Sequence, residues 1–412
     1  MTTRVVITGL GAITAAGNSA EETWDAMVSG RSGIGPVTYF DASPYTSKIQ
    51  AEVKDFELGD VTDAKQQRHM NKAVQFGMSA AMEALAQSGL EITDDNAEDI
   101  GVIFSSGGGG YDALLAGQAT LEAKGPRRIT PFLVANFIPD ACSGHIAIAT
   151  GARGPNLAVV AACATGGVTI GEAFEHIRRG DCVAAITGSS EAVLLEVFHA
   201  TWSAMRALSA NNEHPEASLK PFDLNRDGFV SGEGAAAMIL EDYEHAKARG
   251  ANIICEVIGY GSSSDAYDMI GLNEAGRGLS RAMRGALRKA DIPAADINYI
   301  NPHGSGTMLN DCVETRVFKD LMGKAAYDAA ISSVKPITGH CMGASGSVEA
   351  LACIMSIRDQ VVPPTINYST PDPECDLDYV PNTARKQAVD VAVTTSVGLG
   401  GHNSAVIFRK ID

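Results

Sequence analysis

A cysteine in a segment of small residues is the strongest candidate for a catalytic side chain in this sequence. Cys163 ends a run of small apolar residues that begins at Leu157, and the segment 164–167, Ala-Thr-Gly-Gly, follows it. We predict that a buried strand ends here and that the thiol lies at a helix N-terminus, where the helix dipole and free N–H groups favour thiolate. A buried structural cysteine is the alternative interpretation of this segment taken alone.

Two histidines in glycine-rich segments accompany this cysteine, although both are distant in sequence. His303 lies in Asn-Pro-His-Gly and His340 in Thr-Gly-His. Two neutral imidazoles that donate N–H groups stabilise an oxyanion or an enolate. We predict that Lys335 pairs with Glu314 within the same site and orients both histidines electrostatically, with an ordinary surface lysine as the alternative.

A nucleophile that attacks a carbonyl also needs hydrogen-bond donors for the oxygen that becomes negative. The backbone N–H of Cys163 and the glycine-rich turn 398–401 are the candidates, although such turns are often packing features. Zinc would need Cys163 as a third ligand beside the histidines, without metal-type spacing. The segment 223–228 resembles the start of a calcium loop, but the twelfth position is Gly234. We therefore predict no metal.

Composition restricts the classes of protein that this chain can belong to. It has 412 residues, 45% of them hydrophobic, and a formal net charge of −17. Such an acidic chain is a poor candidate for nucleic-acid binding. Eight scattered cysteines without a C-x-x-C pair indicate a reducing, cytoplasmic location, and we predict neither a signal peptide nor a membrane span.

The elements that would position these residues occur in two related halves, 1–250 and 251–412. Asp99–Gly108 is similar to Asp296–Ser305, and each follows a helical stretch. We also match 143–151 with 338–346, and 157–167 with 391–401. Continuous apolar runs separated by helical patterns predict an α/β protein with sheets buried on both faces.

The motifs together resemble the β-ketoacyl-acyl carrier protein synthases, the elongating type II ketosynthases of the thiolase superfamily, over essentially the whole chain. The segments that carry this resemblance are 6–11, 162–166, 221–223, 226–229, 232–234, 301–304, 335–340 and 400–403. The resemblance implies the thiolase fold, with duplicated βαβ-rich halves in five layers, αβαβα. It also implies a homodimer, while a heterodimer with a related subunit remains open.

The resemblance also implies a role for each candidate residue in a decarboxylative Claisen condensation. Cys163 accepts an acyl chain from acyl carrier protein, and His303 and His340 support decarboxylation of malonyl carrier protein. Lys335 and Glu314 maintain the electrostatic environment of the active site. The N–H groups of Cys163 and Leu399 form the oxyanion hole. No dissociable cofactor is implied, because the phosphopantetheine arm arrives on the carrier.

Two further groups of residues follow from the same resemblance. The carrier would dock on basic residues that are exceptions in an acidic chain: Lys65, Arg68, Arg127, Arg128 and Arg206. The gate and the acyl pocket would be formed by Gly108, Leu133, Asp265, Asp268, Leu399 and Gly400.

Departures from the family pattern suggest a specialised enzyme. Housekeeping members tend to carry Ile where this chain has Gly108, and Phe where it has Leu133. We expect these smaller residues to open space for a long, polyene or polyketide chain. The alternatives are a housekeeping elongation enzyme, a decarboxylase without condensation, and a non-catalytic chain-length-factor subunit, which usually lacks the cysteine. A thiolase would need a second cysteine in the segment 397–403, which has none.

Overall fold

The computed structural model describes residues 3–59 and 61–411, and within them it contains fourteen strands and thirteen α-helices. The strands are β1 Val5–Thr14, β2 Gly35–Pro36, β3 Ile49–Gln50, β4 Ile100–Ser105, β5 Asn156–Leu157, β6 Ala184–Glu191, β7 Gly234–Asp242, β8 Cys255–Ser264, β9 Tyr299–Asn301, β10 Ala330–Ile331, β11 Val361–Val362, β12 Arg385–Lys386, β13 Val391–Gly398 and β14 His402–Arg409. The helices are α1 Ala20–Ser29, α2 Ala64–Gln67, α3 Lys72–Ser88, α4 Tyr111–Lys124, α5 Leu133–Phe137, α6 Ala141–Thr150, α7 Thr165–Arg179, α8 Glu196–Ala204, α9 Tyr243–Ala248, α10 Arg277–Ala290, α11 Met308–Met322, α12 Lys335–Thr338 and α13 Ser345–Asp359. No helix in the described part is long and apolar enough to cross a membrane.

The large sheet consists of two halves with the same strand order. One half runs β5-β4-β6-β7-β1 and the other β10-β9-β13-β14-β8. In each half the first three strands are parallel and the last two pair antiparallel. The halves join where Val5–Ile7 of β1 pairs with Cys255–Val257 of β8. This repeat confirms the predicted duplication, and the predicted domain boundary at 250/251 falls between α9 and β8.

Helices cover and separate the two halves to give the five predicted layers. Helix α3 packs outside β1 and β7, and α10 packs outside β8 and β14. Helices α7 and α13 lie in the centre and contact strands of both halves. The side chain of Asn71 caps α3 by accepting the Val74 N–H, and Gly89 ends this helix in the left-handed conformation.

The N-termini of α7 and α13 meet backbone to backbone at the centre of the molecule. A Cβ atom at Gly346 would lie 2.5 Å from the Gly167 backbone N, and one at Gly166 would collide with the Ser347 N. Side chains at these glycines would push the two helix starts apart. This contact sets the distance between the turn that precedes α7 and the turn that precedes α13.

Parts of the predicted repeat were wrong. The buried strand expected to begin at Leu157 is only the two-residue edge strand β5, and Leu157 and Val160 are 41% and 48% exposed. The counterpart of β13 is therefore β6. Residues 143–145 lie inside α6. In contrast, Thr338 is the last residue of α12, and residues 339–340 lie in the turn after it. Small apolar residues suit a buried strand and an uncovered surface equally well, so their composition did not separate the two.

We predict that Gly346→Ala lowers the free energy of unfolding by about 1–3 kcal/mol, because the new methyl group meets the Gly167 backbone. Gly285→Ala is the matched control. It also lies in a helix, but its Cβ would have an ordinary contact of 3.5 Å, so it should gain up to about 1 kcal/mol of helix propensity. Urea unfolding measures both variants, and equal stability would contradict the close approach.

Candidate active site

The candidate nucleophile lies in a strained turn directly before α7. Cys163 is the middle residue of the 3-10 turn Ala162–Ala164, and Ala162 has a left-handed φ of 48°. The Leu399 backbone N–H donates a hydrogen bond to Cys163 Sγ. A Cβ at Gly398 would lie 3.0 Å from the Cys163 N, so β13 ends directly against this turn. The two N–H groups predicted to stabilise an oxyanion, those of Cys163 and Leu399, therefore belong to two segments that contact each other.

Both candidate histidines face the same cavity as the cysteine. The rings of His303 and His340 make an edge-to-face contact with centroids 5.2 Å apart. A cavity of about 360 Å³ is lined by both rings and by Cys163. His340 Nδ1 lies 2.8 Å from Ser345 Oγ, which fixes the ring and directs its other nitrogen away from α13. The structure therefore brings together the three groups that the sequence placed in different halves.

Glu314 positions the segment that carries His303. The backbone N–H groups of His303 and Gly304 each donate to one of its carboxylate oxygens at 2.7 Å. Asn310 Nδ2 donates to the same carboxylate at 2.8 Å. Burial raises the pKa of Glu314 to about 7, while these backbone donors and the Lys335 ammonium oppose the increase.

The predicted pairing of Lys335 with Glu314 was wrong. The buried Lys335 ammonium donates to the backbone oxygen of His303 and pairs with Glu349 of α13. Glu314 is already satisfied by backbone donors, whereas Glu349 makes no other hydrogen bond in the described chain. Glu349 was missed by sequence reasoning, although a single carboxylate inside the apolar segment 348–355 was a usable signal.

Burial and the Lys335 charge decide which groups are ionised. Burial lowers the pKa of His303 and of His340 well below the usual range, and the Lys335 ammonium lowers both further. Burial raises the pKa of Cys163 to about 11 against the opposing effect of Lys335, and Glu191 contributes to the increase. At neutral pH both imidazoles are therefore neutral and the cysteine rests as a thiol. The helix N-terminus was expected to favour the thiolate, and burial acts on Cys163 in the opposite direction.

A second carboxylate that the sequence analysis missed is Glu191, the last residue of β6. It accepts backbone N–H groups from Gly107, Gly108 and Gly343 at 3.0, 3.2 and 3.1 Å, and the Ser106 hydroxyl at 2.9 Å. Burial raises its pKa to about 7. Glu191 thus ties the loop after β4 to the turn before α13, and its position at the end of an apolar strand was the available signal.

A continuous path of aromatic rings leads from the catalytic cavity to Gly108. Its consecutive centroid distances are 5.4 Å for His340–Phe229, 6.0 Å for Phe229–Trp202, 5.8 Å for Trp202–Phe198 and 4.9 Å for Phe198–Tyr111. A Cβ at Gly108 would lie only 2.7 Å from Tyr111 Cε2. The open space expected at Gly108 is therefore absent, because the Tyr111 ring fills it.

Leu133 also lies outside the cavity. It is the first residue of α5, and a Cβ at Gly117 of α4 would meet Leu133 Cδ2 at 2.7 Å. The leucine thus packs between α4 and α5 rather than beside Cys163. Its smaller size opens no space in the cavity of this chain.

The predicted gate is assembled from two loops that bond to each other. The Gly400 N–H donates to the Met269 oxygen at 2.9 Å, and the Asp265 N–H donates to the Gly401 oxygen at 2.8 Å. Asp265 and Leu399 line the cavity together with Gly400. Asp268 does not line it, because its carboxylate accepts the N–H groups of residues 270 and 271 in its own loop.

The five predicted docking residues are all exposed. Arg206 stands between Met205 and Ala207, which both line the cavity, so it lies at the cavity rim. Lys65 and Arg68 belong to the segment around α2, and Arg127 and Arg128 to the turn before α5. These two segments meet where the rings of His69 and Phe132 stack at 4.0 Å. Carrier binding at these residues stays a prediction.

Potential metal ligands gather at one place in the described chain, and none of them lines the cavity. Ligand atoms of Cys312, Asp372 and Cys375 lie within 4.8 Å of one another. The Arg226 guanidinium donates to Asp372 at 2.6 Å and to Cys312 Sγ at 3.0 Å. The Arg226 guanidinium therefore already supplies the positive charge that these ligand atoms contact. The calcium-like segment is a structural turn, in which Asp223 accepts backbone N–H groups of residues 225, 369 and 370.

Comparison with known proteins agrees with this geometry. Residues 2–246 match the family model "Beta-ketoacyl synthase, N-terminal domain", and residues 254–369 match "Beta-ketoacyl synthase, C-terminal domain". The chain is 44% identical to 3-oxoacyl-[acyl-carrier-protein] synthase 2 of Staphylococcus aureus over 409 residues, which cover 99% of each chain. It is also 44% identical to the protein of the same name from Synechocystis sp. over 407 residues, 99% of this chain and 98% of the other.

Two solved structures cover 100% of both chains at 33% identity. One is a type II PKS acyl-carrier protein in complex with its ketosynthase bound to the hexaketide, with a TM-score of 0.90. The other is the ishigamide ketosynthase/chain length factor, with a TM-score of 0.92.

We predict that Lys335→Ala lowers the free energy of unfolding by about 3–5 kcal/mol, because it leaves the Glu349 carboxylate buried without its partner. The double variant Lys335→Met/Glu349→Gln removes both charges and keeps the side-chain volume. It should therefore be more stable than Lys335→Ala in urea unfolding. A double variant that is less stable than Lys335→Ala would show that the pair is not the source of the loss.

Proposed function

Because this chain belongs to the β-ketoacyl synthase family, we propose that it condenses an acyl-carrier-protein primer with malonyl-acyl carrier protein to give 3-oxoacyl-acyl carrier protein. The observation that carries the proposal is the convergence of Cys163, His303 and His340 on one cavity. A sulfur nucleophile and two neutral imidazoles are the groups that acyl transfer and enolate stabilisation require.

In the first half-reaction Cys163 attacks the thioester carbonyl of the acyl carrier. The N–H groups of Cys163 and Leu399 donate to the oxygen that becomes negative. The carbonyl then re-forms as the bond to the pantetheine sulfur breaks, and the Cys163 proton leaves with that sulfur. Transfer is thus from thioester to thioester, and the pantetheine arm stays on the carrier. We propose that no dissociable cofactor and no metal takes part.

In the second half-reaction the malonyl carrier loses CO₂, and the electron pair of the broken C–C bond becomes an enolate. His303 and His340 donate N–H groups to the enolate oxygen, and their depressed pKa values keep them neutral donors. A hydroxyl donor at Ser345 leaves the His340 Nε2 protonated toward the cavity. The enolate carbon attacks the acyl-Cys163 carbonyl, and the cysteine sulfur leaves as a thiolate that takes up a proton.

A second subunit fits the uncovered face that contains β5. This edge strand pairs only with β4 among the described strands, and an unpaired edge invites another chain. Large apolar side chains are exposed nearby in sequence: Phe132, Val134, Ile148, Leu157 and Val160. We propose that a second copy covers this face, with a related partner subunit as the alternative. The eight free thiols suit the reducing cytoplasm, which stays a prediction.

The proposal predicts that Cys163 becomes acylated. Incubation with acyl-loaded carrier protein should increase the intact mass of the enzyme by one acyl group, and malonyl carrier should then give a 3-oxoacyl carrier two carbons longer. Cys163→Ala should abolish the mass increase. Labelling that persists in this variant would overturn the assignment, and CO₂ release from wild type without an extended product would indicate a decarboxylase.

We further propose that the acyl chain follows the aromatic path toward Tyr111, which is the part of the site that decides chain length. Tyr111→Ala should extend the longest acyl chain that loads onto Cys163, and Gly108→Ile should shorten it by displacing the ring. Tyr111→Phe keeps the ring and is the matched control. A panel of saturated and polyene carriers of increasing length tests this, and preference for ordinary medium-length saturated chains would argue against the specialised class.

A further inference from the structure

Helix α10 carries a row of arginines on its outer face, in a chain whose net charge is −17. Its inner face, which includes Leu279, Met283 and Ala286, is buried against β8 and β14. The outer face carries Arg277, Arg281, Arg284 and Arg288, all exposed, and we call these four residues the arginine stripe. Their spacing of four, three and four residues aligns them along one side of the helix for about 16 Å.

The guanidinium groups of the stripe are not neutralised by neighbouring carboxylates. None of the four forms an ion pair with a carboxylate in residues 3–59 and 61–411, although the adjacent Lys289 pairs with Glu175. Two of them make only neutral contacts, Arg281 with the Ser264 oxygen at 3.2 Å and Arg284 with Ser280 Oγ at 3.3 Å. Their charge is therefore available to a partner.

The stripe borders an open groove that adjoins the catalytic cavity. The first three arginines line a groove of about 600 Å³, together with Asp265, Tyr267 and Asp320 of α11. Asp265 lines the catalytic cavity as well, so the two spaces meet at this residue. The stripe thus begins at the mouth of the active site and runs away from it.

The loop between the two spaces adds apolar surface to this charge. Tyr267, Met269 and Ile270 are 64%, 77% and 64% exposed. An apolar centre beside a row of cations is complementary to a protein surface that combines acidic and apolar side chains. The groove is open to solvent along the helix, which suits a macromolecule better than a small enclosed ligand.

We propose that the arginine stripe of α10 is a docking surface for the acidic face of the carrier protein, at a place separate from the five docking residues that the family resemblance implied. This inference rests on the proposed function, because only a carrier-bound substrate needs a protein surface at the cavity mouth. The stripe attracts the carrier over a long range, and the loop 267–270 contacts it where the pantetheine arm enters.

The test compares a protein donor with a small donor in loading Cys163, measured by intact mass. The probes are a dodecanoyl-loaded bacterial type II acyl carrier protein and dodecanoyl-pantetheine. In Arg281→Glu/Arg284→Glu we expect loading from the carrier to be about tenfold slower at low salt, because reversal of rim charges mainly slows association. Loading from dodecanoyl-pantetheine should keep the wild-type rate, which also shows that the variant folds.

The matched control is Lys247→Glu/Lys386→Glu, which makes the same change in net charge at two exposed lysines on α9 and β12. It should load from the carrier at the wild-type rate. Equal rates for the stripe variant and this control would overturn the docking surface, and so would an equal loss with both donors. If wild type loads from neither donor, the proposed function itself fails and this inference falls with it.

Discussion

The close contact between the starts of α7 and α13 is the constraint on which the active site depends. Each of these central helices belongs to one half of the chain, and each is preceded by a 3-10 turn with a left-handed residue, Ala162 at 48° and Met342 at 45°. Glycines at the helix starts allow the two backbones to touch. Without that contact the cysteine of one half would not share a cavity with the histidines of the other.

The second constraint is electrostatic, because a charged lysine is buried beside groups that must stay neutral. A buried ammonium is stable only with a partner, and Glu349 of α13 provides it. The pair is nearly neutral as a unit, but its positive end touches the His303 backbone oxygen. That orientation lowers the pKa of both imidazoles and opposes the effect of burial on the Cys163 thiol. Burial is the largest cause of all three pKa shifts, and the Lys335 ammonium lowers the pKa of each reacting group.

The sequence was sufficient for the α/β class, for the duplication and for the residues that converge on the cavity, because each carries a local pattern. Continuous apolar runs identified β6, β7 and β13, and the glycine-flanked histidines were recognisable as unusual. The pairing of Lys335 was not predictable in the same way. Both Glu314 and Glu349 are buried carboxylates, and only the packed structure decides that backbone N–H groups satisfy the first and the ammonium meets the second.

The space around Gly108 was unpredictable for a related reason. A missing side chain in a sequence does not specify whether the volume stays empty, since a residue from another segment can fill it. Here the ring of Tyr111 does so. Close packing makes such filling the usual outcome, because an unfilled cavity costs stability in proportion to its volume.

The duplication also explains how one site arises from two similar halves. Gly343 occupies in the second turn the place that Cys163 occupies in the first, and a Cβ there would lie 2.6 Å from Glu191 Oε2. The first half has the Cys163 sulfur at this position. The second half has a glycine, which leaves room for the Glu191 carboxylate to accept the Gly343 backbone N–H at 3.1 Å. The carboxylate comes from β6 of the first half, so the first half fixes the turn of the second. The asymmetry at this pair of positions leaves one nucleophile at the junction of the halves, and His303 and His340, both from the second half, face it from the other side.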